Sequence, residues 1–300
     1  MTTGVLLMAH GTPSRPDEIG PFYTRIRRGR PPTSEQLAEL EGRYRAIGGA
    51  SPLAERTRAQ VDGVRAALEH RAPGHFVVSF GAKHADPLIE EAAAALASAG
   101  HRRVIGLVLT PHGSSLGSQE YLDRAAAALG DRPFVAVGPW YAEPALVELF
   151  ASRVKDAVAG TPGRARVIFT AHSLPDRIRE TGDTYPEQLA ESARLVAVAA
   201  GLDQWQVAWQ SAGRTPEPWL GPDVRDVVGG LAADGGTDAV VVCPIGFVAD
   251  HLEVLYDLDV DLAGVAEASG LAYVRTASLN DDPVFVRLLA DLVVAADFGR

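Results

Sequence analysis

Cysteine is nearly missing from this chain. Cys243 stands alone, so no internal disulfide can form, and a four-thiolate zinc or iron–sulfur site cannot be built. A reducing cytoplasm is the expected setting. Long apolar runs are lacking too: Val5–Ala9 is too short to span a bilayer and has no basic leader. Arg287 and Asp291 break the apolar stretch near the carboxyl end. Neither a targeting peptide nor a membrane span is expected. Positive charge is outnumbered, 28 Lys and Arg against 38 Asp and Glu, and a net charge of −10 argues against a nucleic-acid surface or a polybasic anchor. Low-complexity linkers are also absent, which suggests parts packed closely enough to share a cleft.

What is present is 300 residues of ordinary globular composition, enough for two domains. Short β-rich runs at Val5–Ala9, Phe76–Phe80, Val104–Thr110 and Phe134–Val137 alternate with amphipathic helical stretches. A second set follows at Val167–Thr170, Gln206–Trp209, Val240–Cys243 and Ala272–Val274. The alternation predicts an α/β protein of two halves, residues 1–160 and 161–300, each a four-stranded parallel sheet flanked by helices. Gly160-Thr161-Pro162-Gly163 marks the junction. Val5 to Pro13 resembles Val167 to Pro175 in hydrophobicity and in an Ala-His-x-x-Pro ending, a weak internal repeat. The last helix, near Pro283–Phe298, could pack on either half.

Ligands of open parallel sheets gather beyond the carboxyl ends of the strands. His10, His84, His112, His172 and His251 all fall just after predicted strands, while His70, His75 and His101 do not. One strand-end histidine can be a backbone-bonded structural residue; five together signal a pocket. Glu253, Asp257 and Asp261 recur at i, i+4 and i+8, which predicts three carboxylates on one helical face. Such a face is either solvated surface or a path for a hydrated cation or for protons. Histidine with carboxylate suits transient Fe(II) contact and proton transfer better than a permanent zinc cage. Arg25, Arg27, Arg28 and Arg30 cluster in an acidic protein, as solvated charge or as a docking place for carboxylates. Trp205 and Trp209 read as core, and Trp219, in a proline-rich loop, as a wall for a flat apolar ligand.

These segments together resemble the ferrochelatase family, in its bacterial coproporphyrin branch, over nearly the whole chain. The resemblance rests on Met8 to Pro13, Tyr23 to Arg30, Arg43 to Leu53, Ala171 to Pro175, Trp209 to Pro222 and Pro244 to Glu253. It implies the chelatase fold, two Rossmann-like domains around a porphyrin cleft, and Fe(II) insertion into coproporphyrin III with release of two protons. His172 and Glu253 are implied as the catalytic, metal-facing pair, with Asp257 and Asp261 as an acidic trail. His10, Arg27, Arg28, Ser51, Lys83, His84, Tyr121 and Trp219 are implied as porphyrin contacts. His10 departs from the branch, where tyrosine is common, and is a further candidate metal ligand. No cofactor beyond the substrate iron and no iron–sulfur cluster is expected, and the protein is expected to be a monomer that meets haem-pathway enzymes transiently. Other readings are a protoporphyrin IX ferrochelatase, a sirohydrochlorin iron or cobalt chelatase, and a porphyrin or haem carrier.

Overall fold

A computed structural model describes residues 2–231 and 235–299. The first half runs β1 (Thr3–Ala9), α1 (Ile19–Ile26), α2 (Ser34–Ala46), α3 (Leu53–Arg71), β2 (Phe76–Ala82), α4 (Ile89–Ser98), β3 (Val104–Val108), α5 (Ser118–Leu129), β4 (Phe134–Ala136) and α6 (Pro144–Ala159). The second runs β5 (Ala165–His172), a 3₁₀ turn at Asp176–Thr181, α7 (Tyr185–Ala200), β6 (Trp205–Gln210), α8 (Val224–Leu231), β7 (Ala239–Cys243), α9 (Leu252–Tyr256), α10 (Ala263–Ala268), β8 (Ala272–Arg275) and α11 (Pro283–Phe298).

Each half contributes a four-stranded parallel sheet, ordered β2-β1-β3-β4 and β6-β5-β7-β8. The two orders are one arrangement used twice, so the weak repeat in sequence is a repeat in topology. β1 and β5 are the equivalent inner strands, and Val5–Met8 and Val167–Ala171 are shielded from water on both faces. That is why they read as continuous apolar runs rather than alternating ones. His10 follows β1, and His172 is the last residue of β5.

One apolar core joins the halves. Val5, Leu7 and Leu107 of the first sheet connect to Val167, Phe169 and Val241 of the second through side chains of α3, α6, α7 and α11. Separate clusters under α4 and α5, and under α8, α9 and α10, cover the outer faces. Asp282 caps α11 through the Val284 amide, with Pro283 in the first turn. At the other end of α11 the buried Asp297 carboxylate accepts from Thr3 Oγ1 at 3.0 Å, Arg102 at 2.7 Å and Arg103 at 2.8 Å, and meets His75 Nε2 at 2.7 Å. The last helix is therefore tied to the first half.

The helix beyond β7 differs from the regular one that the carboxylate spacing suggests. α9 ends at Tyr256 and a π-helical stretch spans Asp257–Leu262 before α10 resumes. A π turn takes in an extra residue and re-aims the side chains that follow. β3 also stops at Val108, two residues before the expected Thr110, because the chain turns out toward Pro111.

Candidate active site

Nε2 of His172 lies 3.5 Å from Oε1 of Glu253. His172 Nδ1 is bonded to the Ser173 carbonyl, which can only accept, so Nδ1 carries a hydrogen and Nε2 is the atom turned toward the carboxylate. Tyr185 donates its hydroxyl to the His172 carbonyl at 3.0 Å, which holds the strand end from behind. Burial opposes charge on the ring, but the Glu253 carboxylate outweighs it, and His172 keeps its proton up to about 9. Glu253 responds in kind: burial works against its charge, but His172 and His251 pull it well below the usual carboxylate range. At neutral pH the pair is thus imidazolium and carboxylate.

His251 was not singled out as a site residue from sequence, yet its Nε2 stands 3.7 Å from Oε2 of Glu253. Its Nδ1 is bonded to the Ala249 carbonyl at 3.0 Å, the same device that orients His172. Gln210 Nε2 donates to the Glu253 carbonyl at 3.2 Å, which fixes the start of α9 against the end of β6. Close packing does the rest. A Cβ on Gly246 would fall 2.4 Å from Ala171 Cβ and 2.8 Å from its Cα, so only glycine lets the loop after β7 lie against the residue before His172.

The acidic trail divides. Asp257 points inward, accepting from Ser211 Oγ at 2.5 Å with Arg43 Nη1 at 3.6 Å. Burial, with Glu253 adding to it, pushes its carboxyl up. Ser211 reaches it from a left-handed backbone conformation, φ 59°. Asp261 lies outward, 3.4 Å from Arg225, and Asp259 pairs with Arg275 at 2.6 Å. Arg43 comes from α2 of the first half and also lies over the Tyr256 ring at 5.2 Å, so it clasps the two halves at the edge of the site. Sequence reasoning quoted Arg43 within a motif but gave it no role, because its partner lies more than two hundred residues away.

On the first half's wall the rings of His10 and His84 are 4.8 Å apart, with Phe22 edge-on to both. His10 is exposed to the cleft, and its Nδ1 contacts the Gly11 carbonyl at 3.0 Å, repeating the geometry of His172. Crowding by protein lowers the His10 imidazole, while the Gly11 carbonyl and then the Glu253 charge raise it less. Loss of hydration, then the neighbouring His10, drop His84 to about 3.

The remaining expected contacts are placed less uniformly. Ser51 is buried and accepts from the Leu53 amide at 3.3 Å. Lys83 pairs with Glu120 at 2.8 Å and lies 5.1 Å over the ring of Tyr121, which is buried beneath it. Arg27 folds over Tyr23 and bonds the Arg30 carbonyl, whereas Arg28, at φ 54°, makes no side-chain hydrogen bond or ion pair among the described residues. Neither arginine touches the His172–Glu253 pair. Trp219 is half-buried, bonded through Nε1 to Thr215 at 2.9 Å and pressed on Gly213, where a Cβ would sit 2.3 Å from its ring. Trp209 is core and Trp205 is partly buried, edge-on to Phe169. His112 is also buried, with both ring nitrogens unpartnered among the described residues, stacked on Tyr141.

Two wholly different kinds of likeness meet on this geometry. A coproporphyrin III ferrochelatase of Geobacillus kaustophilus (strain HTA426) is 43% identical across 98% of this chain and 95% of its own length. The coproporphyrin III ferrochelatase of Bacillus subtilis (strain 168) is 44% identical across 97% and 96%. Among solved structures, SirB from Bacillus subtilis with Fe3+ superposes with a TM-score of 0.63 at 14% identity, covering 100% of this chain and 98% of that one. CbiX, described as the terminal enzyme of siroheme biosynthesis in denitrifying bacteria, superposes at 0.54 and 15%, covering 98% and 99%. These two share the fold. No described helix is long and apolar enough to cross a membrane. The family model described as Ferrochelatase matches residues 2–297, and with two full-length relatives above 40% identity the chain belongs to the ferrochelatase family.

Proposed function

We propose that this protein inserts Fe(II) into coproporphyrin III, with His172 and Glu253 as the catalytic pair. The observation that carries this reading is the 3.5 Å approach of His172 Nε2 to Glu253, beside the point where Arg43 of the first half reaches Asp257 of the second. Metal insertion must remove two pyrrole N–H protons, and an imidazole with a free Nε2 beside a carboxylate is suited to take them. Because the pair is already charged, His172 has to give up its proton before it can accept another. A dication brought to the pair supplies that push, since positive charge nearby lowers an imidazolium's pKa. Glu253 and the inward Asp257 then lie on the side by which protons leave.

The choice of porphyrin follows the relatives, whose names specify coproporphyrin III. His10, Arg27, Arg28, Ser51, Lys83, His84, Tyr121 and Trp219 are proposed porphyrin contacts, with Lys83 leaving Glu120 when a carboxylate arrives. Substrate iron is the sole metal in this proposal, and the lone Cys243 fits a cytoplasmic enzyme without an iron–sulfur cluster. We take it to act as a monomer, because the most exposed large apolar side chains, Val198, Phe298 and Val260, sit on separate elements. An anaerobic turnover assay with Fe(II) separates the readings. Selective conversion of coproporphyrin III over protoporphyrin IX and sirohydrochlorin supports the proposal. Tight porphyrin binding with no metal inserted would make the protein a carrier.

A further inference from the structure

Several cations of the second half are paired at home. Arg177 meets Glu217 at 3.0 Å, Arg225 meets Asp223 at 2.9 Å and Arg275 meets Asp259 at 2.6 Å, all within that half. Arg214 behaves differently. It lies in the loop between β6 and α8, and both arms of its guanidinium grip the two carboxylate oxygens of Glu39, on α2 of the first half.

That pair stands at the edge of the site. Glu39 also holds Arg43, one turn further along α2, at 3.2 Å, and Arg43 reaches Asp257. Ser211 opens the Arg214 loop and donates to Asp257. Trp219 closes on it: its ring is packed against Gly213, and its Nε1 donates to Thr215 at 2.9 Å. Gly213 and Thr215 flank Arg214, so the guanidinium is carried between two groups that belong to the site.

Exposure decides what the pair is for. The Arg214 side chain is 72% exposed and that of Glu39 39%, and ion pairs this open add little to stability. The halves do not depend on it, because they share an apolar core, and Asp183 of the second half accepts from Ser114 Oγ at 3.1 Å and from the Ser115 amide at 2.6 Å. A two-pronged grip on a carboxylate is also how an arginine holds a carboxylate ligand. Glu39 fills that grip with a carboxylate of the protein's own, open to exchange.

We propose that Arg214 is a further specificity-determining residue for porphyrin carboxylates, masked by Glu39 until substrate arrives. This rests on the reading of coproporphyrin III as substrate and deepens it. Coproporphyrin III carries a carboxylate on every pyrrole ring, whereas Arg27, Arg28 and Lys83 all come from the first half. Arg214 meets the rim from the second. A substrate carboxylate trades places with Glu39, so Arg214 keeps a partner throughout, and Glu39 keeps Arg43. A porphyrin with carboxylates on only half of its rings has fewer to offer.

The test is a fluorescence titration of the metal-free, full-length protein with coproporphyrin III and with deuteroporphyrin IX, a dicarboxylate. Arg214→Ala and Arg214→Gln should each weaken coproporphyrin III by about tenfold and deuteroporphyrin IX by less, with Arg214→Lys between them and wild type. Glu39→Gln should act in the opposite direction and tighten coproporphyrin III by about threefold, because the competing charge is gone. The opposite signs separate a ligand contact from a simple clasp, which either variant would loosen alike. Circular dichroism checks that each variant is folded, and should Arg214→Ala fail that check, Arg214→Lys and Glu39→Gln decide. Equal weakening of both porphyrins, tightening by Arg214→Ala, or variants that match wild type overturn the proposal. A wild-type protein that binds neither porphyrin overturns the substrate reading with it, whereas one that converts coproporphyrin III while the variants bind as it does overturns this inference alone.

Discussion

Nε2 of His251 lies 3.7 Å from Oε2 of Glu253, the carboxylate oxygen that His172 leaves free. Glu253 is thus held between two imidazoles, each with Nδ1 bonded to a backbone carbonyl. The carboxylate is oriented from both sides and cannot rotate away from His172 without losing a partner.

Replacing His251 with alanine removes one of the two groups that hold the Glu253 carboxyl down. Its pKa should rise, and the acid limb of the pH profile of kcat/KM should move to higher pH. Turnover at pH 7 should fall by about tenfold, less than for Glu253→Gln. An unmoved acid limb would show that His251 does not act through Glu253.

His172 should be protonated at pH 7 in the porphyrin-free protein and titrate near 9 by NMR of its ring carbons. In Glu253→Gln the main raising cause is gone while burial remains, so the value should drop well below that. The sign for stability follows: the folded pKa exceeds the unfolded value of about 6.5, so the pair's contribution is complete below that pH. It is lost as pH rises through about 9. Urea midpoints of wild type and Glu253→Gln should therefore converge between pH 7 and 10.

Gly246→Ala places a methyl against the Ala171 backbone, which has no flexible atom to yield. The expected cost is about 1–3 kcal/mol of stability. Activity should fall further than stability alone explains, because His172 follows Ala171 directly. Denaturant melts and single-turnover insertion check the two effects independently.

Asp297→Ala leaves Arg102 and Arg103 without their shared carboxylate and frees the end of α11. Because the arginines are partly exposed and can recover water, a loss of about 2–3 kcal/mol is expected. Hydrogen exchange should quicken first in α11 and β1, with catalytic rates in the surviving folded protein little changed.

Hydrophobic patterning by itself determined the two α/β halves, all eight strands to within two residues at each end, and the repeated strand-to-histidine ending. Inner parallel strands are buried on both faces, so their apolar runs survive in one dimension, and ends of strands are where ligands collect. The same patterning set His10, His84 and His172 at or just beyond the carboxyl ends of strands, and Glu253 in the helical segment after β7. Only the tertiary structure decided how they are paired. Arg43 meets Asp257 and Tyr256 across the cleft, His251 turns back onto Glu253, Gly246 lies against Ala171, and α11 returns to the first half. Each is a contact between residues that no local period relates, or a turn of backbone that propensity does not encode. The π stretch at Asp257–Leu262 belongs with them: its spacing looks α-helical in sequence, yet Asp257 turns inward to Ser211 and Arg43 while Asp261 lies outside against Arg225.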